Sequence, residues 1–238
     1  MRTERIARVG VLLVAMTAMT LGCRFRTVAW TYTPTVHTTV PSPLLGKTVA
    51  VPPFADARPD SNYNLTMLCL LPVIPCGWQK AETPEGVEPH GTSMRWVFKP
   101  SEDFAKAMAA ELERAGFFQK VFFTYRPNEG DLVLQGKIVS TKYKWFVLTY
   151  GLGFMGAYAW LVGAPVGWTS SRLELEMTLK DSKSGAVIWQ NAGQGKKGKP
   201  YWIYYQPSDF YFDNLFAKIA RDLVDDLGAK LRARPTGQ

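Results

Sequence analysis

Histidine and cysteine are scarce in this chain. Two His (His37 and His90) and three Cys (Cys23, Cys69 and Cys76) serve 238 residues. Neither His has an orienting partner nearby in sequence, which leaves little for imidazole catalysis. Three Cys exclude a disulfide-dense scaffold and a four-Cys zinc site. There is no Gly-rich phosphate loop, no His/Cys metal spacing and no nucleophile elbow. The chain therefore reads as non-enzymatic, with no catalytic residue, no metal ligand set and no cofactor. Asp56 and Arg58 are an acid and its clamp in form, but a surface turn closed by a local ion pair is the plainer reading. Apolar residues are not scarce: 47% of the chain is hydrophobic, too much for a disordered protein and ordinary for a globular one.

The first residues carry Arg2, Arg5 and Arg8 against Glu4, then an uncharged run from Val9 to Leu21, then Gly22-Cys23. A basic start, a short apolar stretch and a small residue describe a secretory signal peptide, residues 1–22. The run is too short to span a bilayer comfortably. Thr20-Leu21-Gly22-Cys23 resembles a bacterial lipobox, with its Leu one place late. That resemblance implies cleavage before Cys23 and acylation of Cys23. Arg24, where an Asp would signal inner-membrane retention, implies an outer-membrane address facing the periplasm. Cleavage would take the formal net charge from +8 to +6. A secreted basic protein has anionic lipid headgroups or anionic polysaccharide as natural partners, or simply a solvated basic surface; nucleic acid is not expected.

Residues 23–46 are rich in Thr, Pro and Val and read as the lipidated N-terminus and an extended tether. Residues 47–238 read as one periplasmic domain. Lys47–Phe54 is a strand signal, followed by a turn at 55–59. Residues 60–98 form a long Pro/Gly-rich loop holding Cys69 and Cys76, an even pair in an oxidising compartment. A disulfide between them is expected, two buried thiols being the alternative. Ser101 opens a helix with Phe104, Met108, Leu112 and Ala115 on one face, and Gly116 stops it. Strands follow at 117–125 and 131–143. Arg172–Lys180 alternates cleanly, with Leu173, Leu175, Met177 and Leu179 inward. A turn at 181–185 returns the chain into a strand at 186–190. A final helix, 208–233, carries Leu215, Ile219, Leu223, Leu227 and Leu231 on one stripe. The expected fold class is α+β: a mostly antiparallel sheet with two helices on one face, and an apolar insert hairpin between two strands.

The strand and turn KTVAVPPFADARP, followed by a helix ending Gly116-Phe117-Phe118, resembles the periplasmic lipoprotein superfamily. That group includes the curli-secretion channel lipoprotein, the Pel exopolysaccharide lipoprotein PelC and the amino-terminal domain of TolB. The matching residues are Val49, Val51, Pro53, Phe54, Asp56, Arg58, Leu112, Gly116 and Phe117, within residues 47–190. These motifs are structural, so the resemblance implies fold more than function.

Two segments stand apart. Trp145–Ser171 contains no charge and holds Trp145, Tyr150, Phe154, Tyr158, Trp160 and Trp168 among five Gly. Aromatics at both ends resemble an interfacial belt. Membrane contact, a subunit interface and plain core are the three readings of this insert. The second segment is Lys196, Lys197 and Lys199 followed by Tyr201, Trp202, Tyr204 and Tyr205, a candidate contact for polyanions, sugars or lipid headgroups. The sequence as a whole points to an outer-membrane lipoprotein that is an accessory or scaffold in envelope assembly or in polymer or protein export. It would act as a homo-oligomer or within an envelope protein complex. The alternative is a carbohydrate-binding module for peptidoglycan or exopolysaccharide.

Overall fold

The computed structural model describes residues 27–34, 43–82, 95–204 and 212–233. Cys23, His37, His90 and Tyr205 lie outside the described residues. The chain divides into two compact units. The smaller pairs β1 (Thr27–Ala29) with β6 (Arg95–Val97) in parallel. The larger carries the other elements.

The larger unit is built on two long strands, β8 (Leu132–Leu148) and β9 (Gly167–Asp181), which pair antiparallel. The second edge of β9 takes β10 (Val187–Tyr201). The second edge of β8 is shared by three strands in succession. β2 (Leu45–Val51) pairs parallel at Leu132–Val133, and β3 (Ala55–Asp56) pairs parallel at Lys137–Ile138. β5 (Cys76–Ala81) pairs antiparallel at Tyr143–Leu148, and β4 (Tyr63–Asn64) adds to β5. β7 (Phe118–Phe123) closes the far side of β2, again in parallel.

The architecture is α+β with a mostly antiparallel sheet, as expected, but the sheet is not purely antiparallel: it is mixed, with parallel pairs at β2, β3 and β7. The cause is the strand–helix–strand unit of β2, α1 (Pro100–Ala115) and β7. A crossover helix returns the chain to the same end of the sheet, which makes the two strands parallel.

Helix α1 starts at Pro100 with Lys99 as its cap, one residue before the expected Ser101. Pro suits a first helical position because its missing N–H would be unpaired there. Asp103 accepts from the Lys99 N–H at 2.8 Å. The helix ends where Gly116 turns left-handed at φ 71°, a conformation cheap only for Gly. Its apolar face and that of α3 (Phe212–Arg232) cover one face of the sheet. Phe104, Met108, Leu112, Phe216, Ile219, Leu223 and Leu227 meet Leu134, Leu175, Met177 and Leu179, all buried. Gly193 on β10 lets α3 close in: a Cβ there would stand 2.3 Å from the Ile219 methyl. The Trp189 ring N–H and the Asn191 amide both donate to one Asp226 oxygen, at 2.7 and 2.9 Å, tying β10 to α3.

Trp30 and Tyr32, which the sequence assigns to the tether, pack on this core. Trp30 meets Phe104 edge-on at 5.5 Å, and Tyr32 meets Phe216 edge-on at 5.0 Å. The Tyr32 hydroxyl donates to the fully buried Glu111 carboxylate. The turn after β9 matches expectation: Asp181 accepts from the backbone N–H of Lys183 and Ser184 and from the Ser184 hydroxyl.

Candidate functional site

The β8–β9 hairpin extends past the residues that line the helix-covered core. That core takes Leu132, Leu134 and Ile138 from β8 and Leu173 to Leu179 from β9, and nothing from 145–171. The strands themselves run further than expected, so the insert is residues 149–166, not 145–171. The end of β8 hides its period because both faces are apolar. Trp145 and Val147 point one way, and Phe146 and Leu148 the other. Trp145 stacks on Tyr201 at 6.2 Å.

The insert is a tight cap, neither a β-span nor a membrane helix. It consists of a 3-10 turn (Gly153–Met155) and α2 (Gly156–Leu161), only six residues. No described helix is long and apolar enough to cross a membrane. Trp160 holds α2 down by donating its ring N–H to the Leu148 carbonyl at 2.7 Å. The Tyr150 hydroxyl closes the loop onto the Pro165 carbonyl at 2.6 Å.

The loop expected to carry a disulfide joins this cap. Thr149 donates its hydroxyl to the Cys69 carbonyl at 2.8 Å, and the Val73 N–H donates to the Gly151 carbonyl at 2.8 Å. Cys69 and Cys76 are separate thiols, in contrast to the expected bridge. Cys69 is buried in a 3-10 turn, Thr66–Leu70, while Cys76 opens β5 opposite Leu148. Hydrogen bonds to the cap fix the loop instead. Burial pushes the Cys69 thiol above its ordinary pKa, the nearby Cys76 adding to the rise.

The two segments together carry most of the exposed large hydrophobic side chains of the described residues. All the exposed large hydrophobics except Tyr63, Tyr125 and Val187 come from 65–73, 150–168 and 203–204. Val73 is 86% exposed, Phe154 72%, Tyr158 63% and Val162 87%. Trp168 is half exposed. Folded proteins seldom leave so many apolar side chains together without a use.

Beside this cap, the outer face of the sheet carries two further bands. Register places Trp78 opposite Phe146, Phe146 opposite Trp168 and Trp168 opposite Pro200. The next row on the same face is Lys80, Lys144 and Ser170, and the row after it is Lys142, Arg172 and Lys196. Lys142, Lys144, Ser170, Arg172 and Lys196 line an open depression of about 110 Å³. The sequence shows only Lys196 of this group as a candidate. The Lys-x-Lys spacing of Lys142 and Lys144, which puts two cations on one strand face, was the signal for the rest.

The basic-aromatic segment is divided by the pleat. Lys197 and Lys199 alternate to the face opposite Lys196. Tyr201 is buried, its hydroxyl donating to the Phe146 carbonyl at 3.2 Å, so its ring is not open to a sugar. Trp202 is half-buried. Tyr204 is exposed and reaches the Leu161 carbonyl of the cap at 3.4 Å. Asp56 and Arg58 form the expected ion pair, which is bidentate at 2.8 and 2.7 Å. Arg58 also donates to the Thr141 hydroxyl at 2.8 Å, which makes the pair a brace between β3 and β8. Among the described residues no three His, Cys, Asp or Glu side chains could hold a metal ion.

No protein-family model matches the chain, and no curated protein matches it. Solved structures do align with it at low identity. One is protein XCC0632 from Xanthomonas campestris, of the DUF330 family model, at 15% identity and TM-score 0.49. That alignment covers 87% of this chain and 97% of that one. Another is a PelC dodecamer from Paraburkholderia phytofirmans, at 17% identity and TM-score 0.36, covering 83% and 96%. At these scores the likeness assigns neither fold nor function.

Proposed function

We propose that this protein is a non-catalytic outer-membrane lipoprotein, acylated at Cys23 and facing the periplasm, that serves as an accessory in envelope assembly or export. The end of its β8–β9 arm rests on the membrane interface. The observation that carries this reading is the exposed apolar cap formed by 65–73 and 149–166. A transmembrane crossing is not required: a cap of short turns, with its backbone polar groups bonded internally, can enter the interfacial layer and return.

Each Phe- or Val-sized side chain moved out of water contributes at most about 1.5–3 kcal/mol. Several together give measurable binding without the acyl chain. The test uses the chain from residue 23 onward with Cys23→Ala, mixed with phospholipid vesicles in high salt. Binding is expected, and Phe154→Asp with Val162→Asp should reduce it at least tenfold while leaving the thermal midpoint unchanged. Trp160 is not a suitable position, because its ring N–H holds the cap together. If the unsubstituted chain stays in solution with vesicles, membrane contact is wrong. If the double variant instead dissociates an oligomer, the cap is a subunit interface.

A further inference from the structure

Lys142 and Lys144 on β8, Arg172 on β9 and Lys196 on β10 converge with the Ser170 hydroxyl around one depression of about 110 Å³. Part of this charge is already matched. Lys142 and Lys80 reach Glu82 at 3.7 and 3.6 Å, and Arg172 donates its Nε–H to Glu174 at 2.7 Å. Five cations against two carboxylates leave a surplus of three positive charges. Among the described residues Lys144 and Lys196 make no ion pair. A surplus of one sign around a concave polar surface with a hydroxyl donor is a site for an oxyanion.

The position of the site suggests which oxyanion. Moving along β8 and β9 away from the cap, the Trp78–Phe146–Trp168 row comes first, then the Lys144–Ser170 row two residues on. At about 3.3 Å per residue this is roughly 7 Å. The headgroup layer on one side of a bilayer is about 5–8 Å deep. Aromatic rings at the hydrocarbon boundary therefore place Lys144 and Ser170 at the level of lipid phosphates, and the row of Lys142, Arg172 and Lys196, roughly 13 Å out, just above it, where long Lys and Arg side chains reach back toward the headgroups.

We infer that the depression lined by Lys142, Lys144, Ser170, Arg172 and Lys196 binds the phosphate of an anionic phospholipid headgroup. This rests on the membrane-contact reading and adds lipid selectivity to it. Lys144 and Lys196 supply the unmatched charge, Ser170 supplies a hydroxyl donor, and Arg172 offers the donors that Glu174 and Gln194 leave free.

The experiment compares vesicles of phosphatidylcholine with vesicles containing phosphatidylglycerol, at low salt, using the unacylated Cys23→Ala chain. The unsubstituted protein should prefer the anionic vesicles. Lys144→Gln with Lys196→Gln should weaken binding to them about 25-fold, at about fivefold per surface cation, and leave binding to phosphatidylcholine unchanged. Weakening the cap's contact by Phe154→Asp with Val162→Asp should reduce binding to both vesicle types, whereas the Gln variants reduce only the preference for the anionic ones, so failure of the two readings is distinguishable. If the double Gln variant loses its fold, the exposed Lys196→Glu alone should still remove most of the preference. Equal binding of the unsubstituted chain to both vesicle types would overturn the proposal, and so would a preference that survives these substitutions. Glycerol phosphate, the same headgroup without acyl chains, should not displace the protein. Displacement would place the ligand in solution and contradict a membrane source.

Discussion

The helix-covered half of the β8–β9 hairpin and its far end are made by the same two strands under opposite rules. From Leu173 to Leu179 every second residue is buried under α1 and α3, and charged or polar residues alternate with them. Beyond Leu173 the helices no longer supply a partner surface, yet the composition becomes more apolar. Hydrophobic side chains in the first half are there for burial within the chain. In the second half Val147 and Tyr201 are buried, but Phe154, Tyr158, Val162 and Trp168 have no such cover among the described residues. Apolar content alone therefore does not mark a core; what matters is whether an element is present to bury it.

Substitutions at the two ends should separate them sharply. The largest effect belongs to the covered half. Phe216 stacks on Phe104 at 5.2 Å and is fully buried, so Phe216→Ala should cost about 3–5 kcal/mol of stability in a denaturant titration. Gly193→Val comes next. Its side chain would drive into Ile219 and should cost about 1–3 kcal/mol by overpacking. At the far end, Phe154→Asp should change stability by no more than about 0.5 kcal/mol. A loss comparable to that of Phe216→Ala would mean that the cap is core after all.

The smallest effect concerns the closed end of the β9–β10 hairpin. The Asp181 carboxyl is held down from 3.8 to about 2 by the Ser184 backbone N–H and hydroxyl and by Lys47. A depressed carboxyl contributes stability above its ordinary pKa and loses it as the pH falls through the folded value. Asp181→Asn should thus lower the thermal midpoint slightly at neutral pH. The deficit should shrink between about pH 4 and pH 2. A deficit constant with pH would assign the effect to geometry rather than charge.

Much of the covered half was legible because its physics is local. The alternation at 172–180, the stripe at Leu215–Leu231 and the stop at Gly116 each follow from one element's own period or cap. The parallel pairing of β2 with β7 was also available, since a helix joins them. The far end was less legible. Period-2 alternation disappears at 145–148, where both faces are apolar, so the strand was read as insert. The basic depression depends on register across three strands, which no single stretch of sequence displays. Trp30 and Tyr32 looked like tether because their partners, Phe104 and Phe216, are remote in sequence.

Hydrogen–deuterium exchange of the unacylated chain, with and without phospholipid vesicles, tests the difference between the two regions most directly. Backbone amides at the cap, residues 67–73 and 150–163, should exchange more slowly when vesicles are added. Amides of α1 and α3 should be unchanged. Protection of the cap that arises from raising the protein concentration, with vesicles adding nothing, would contradict membrane contact and make this end a surface between copies of the chain.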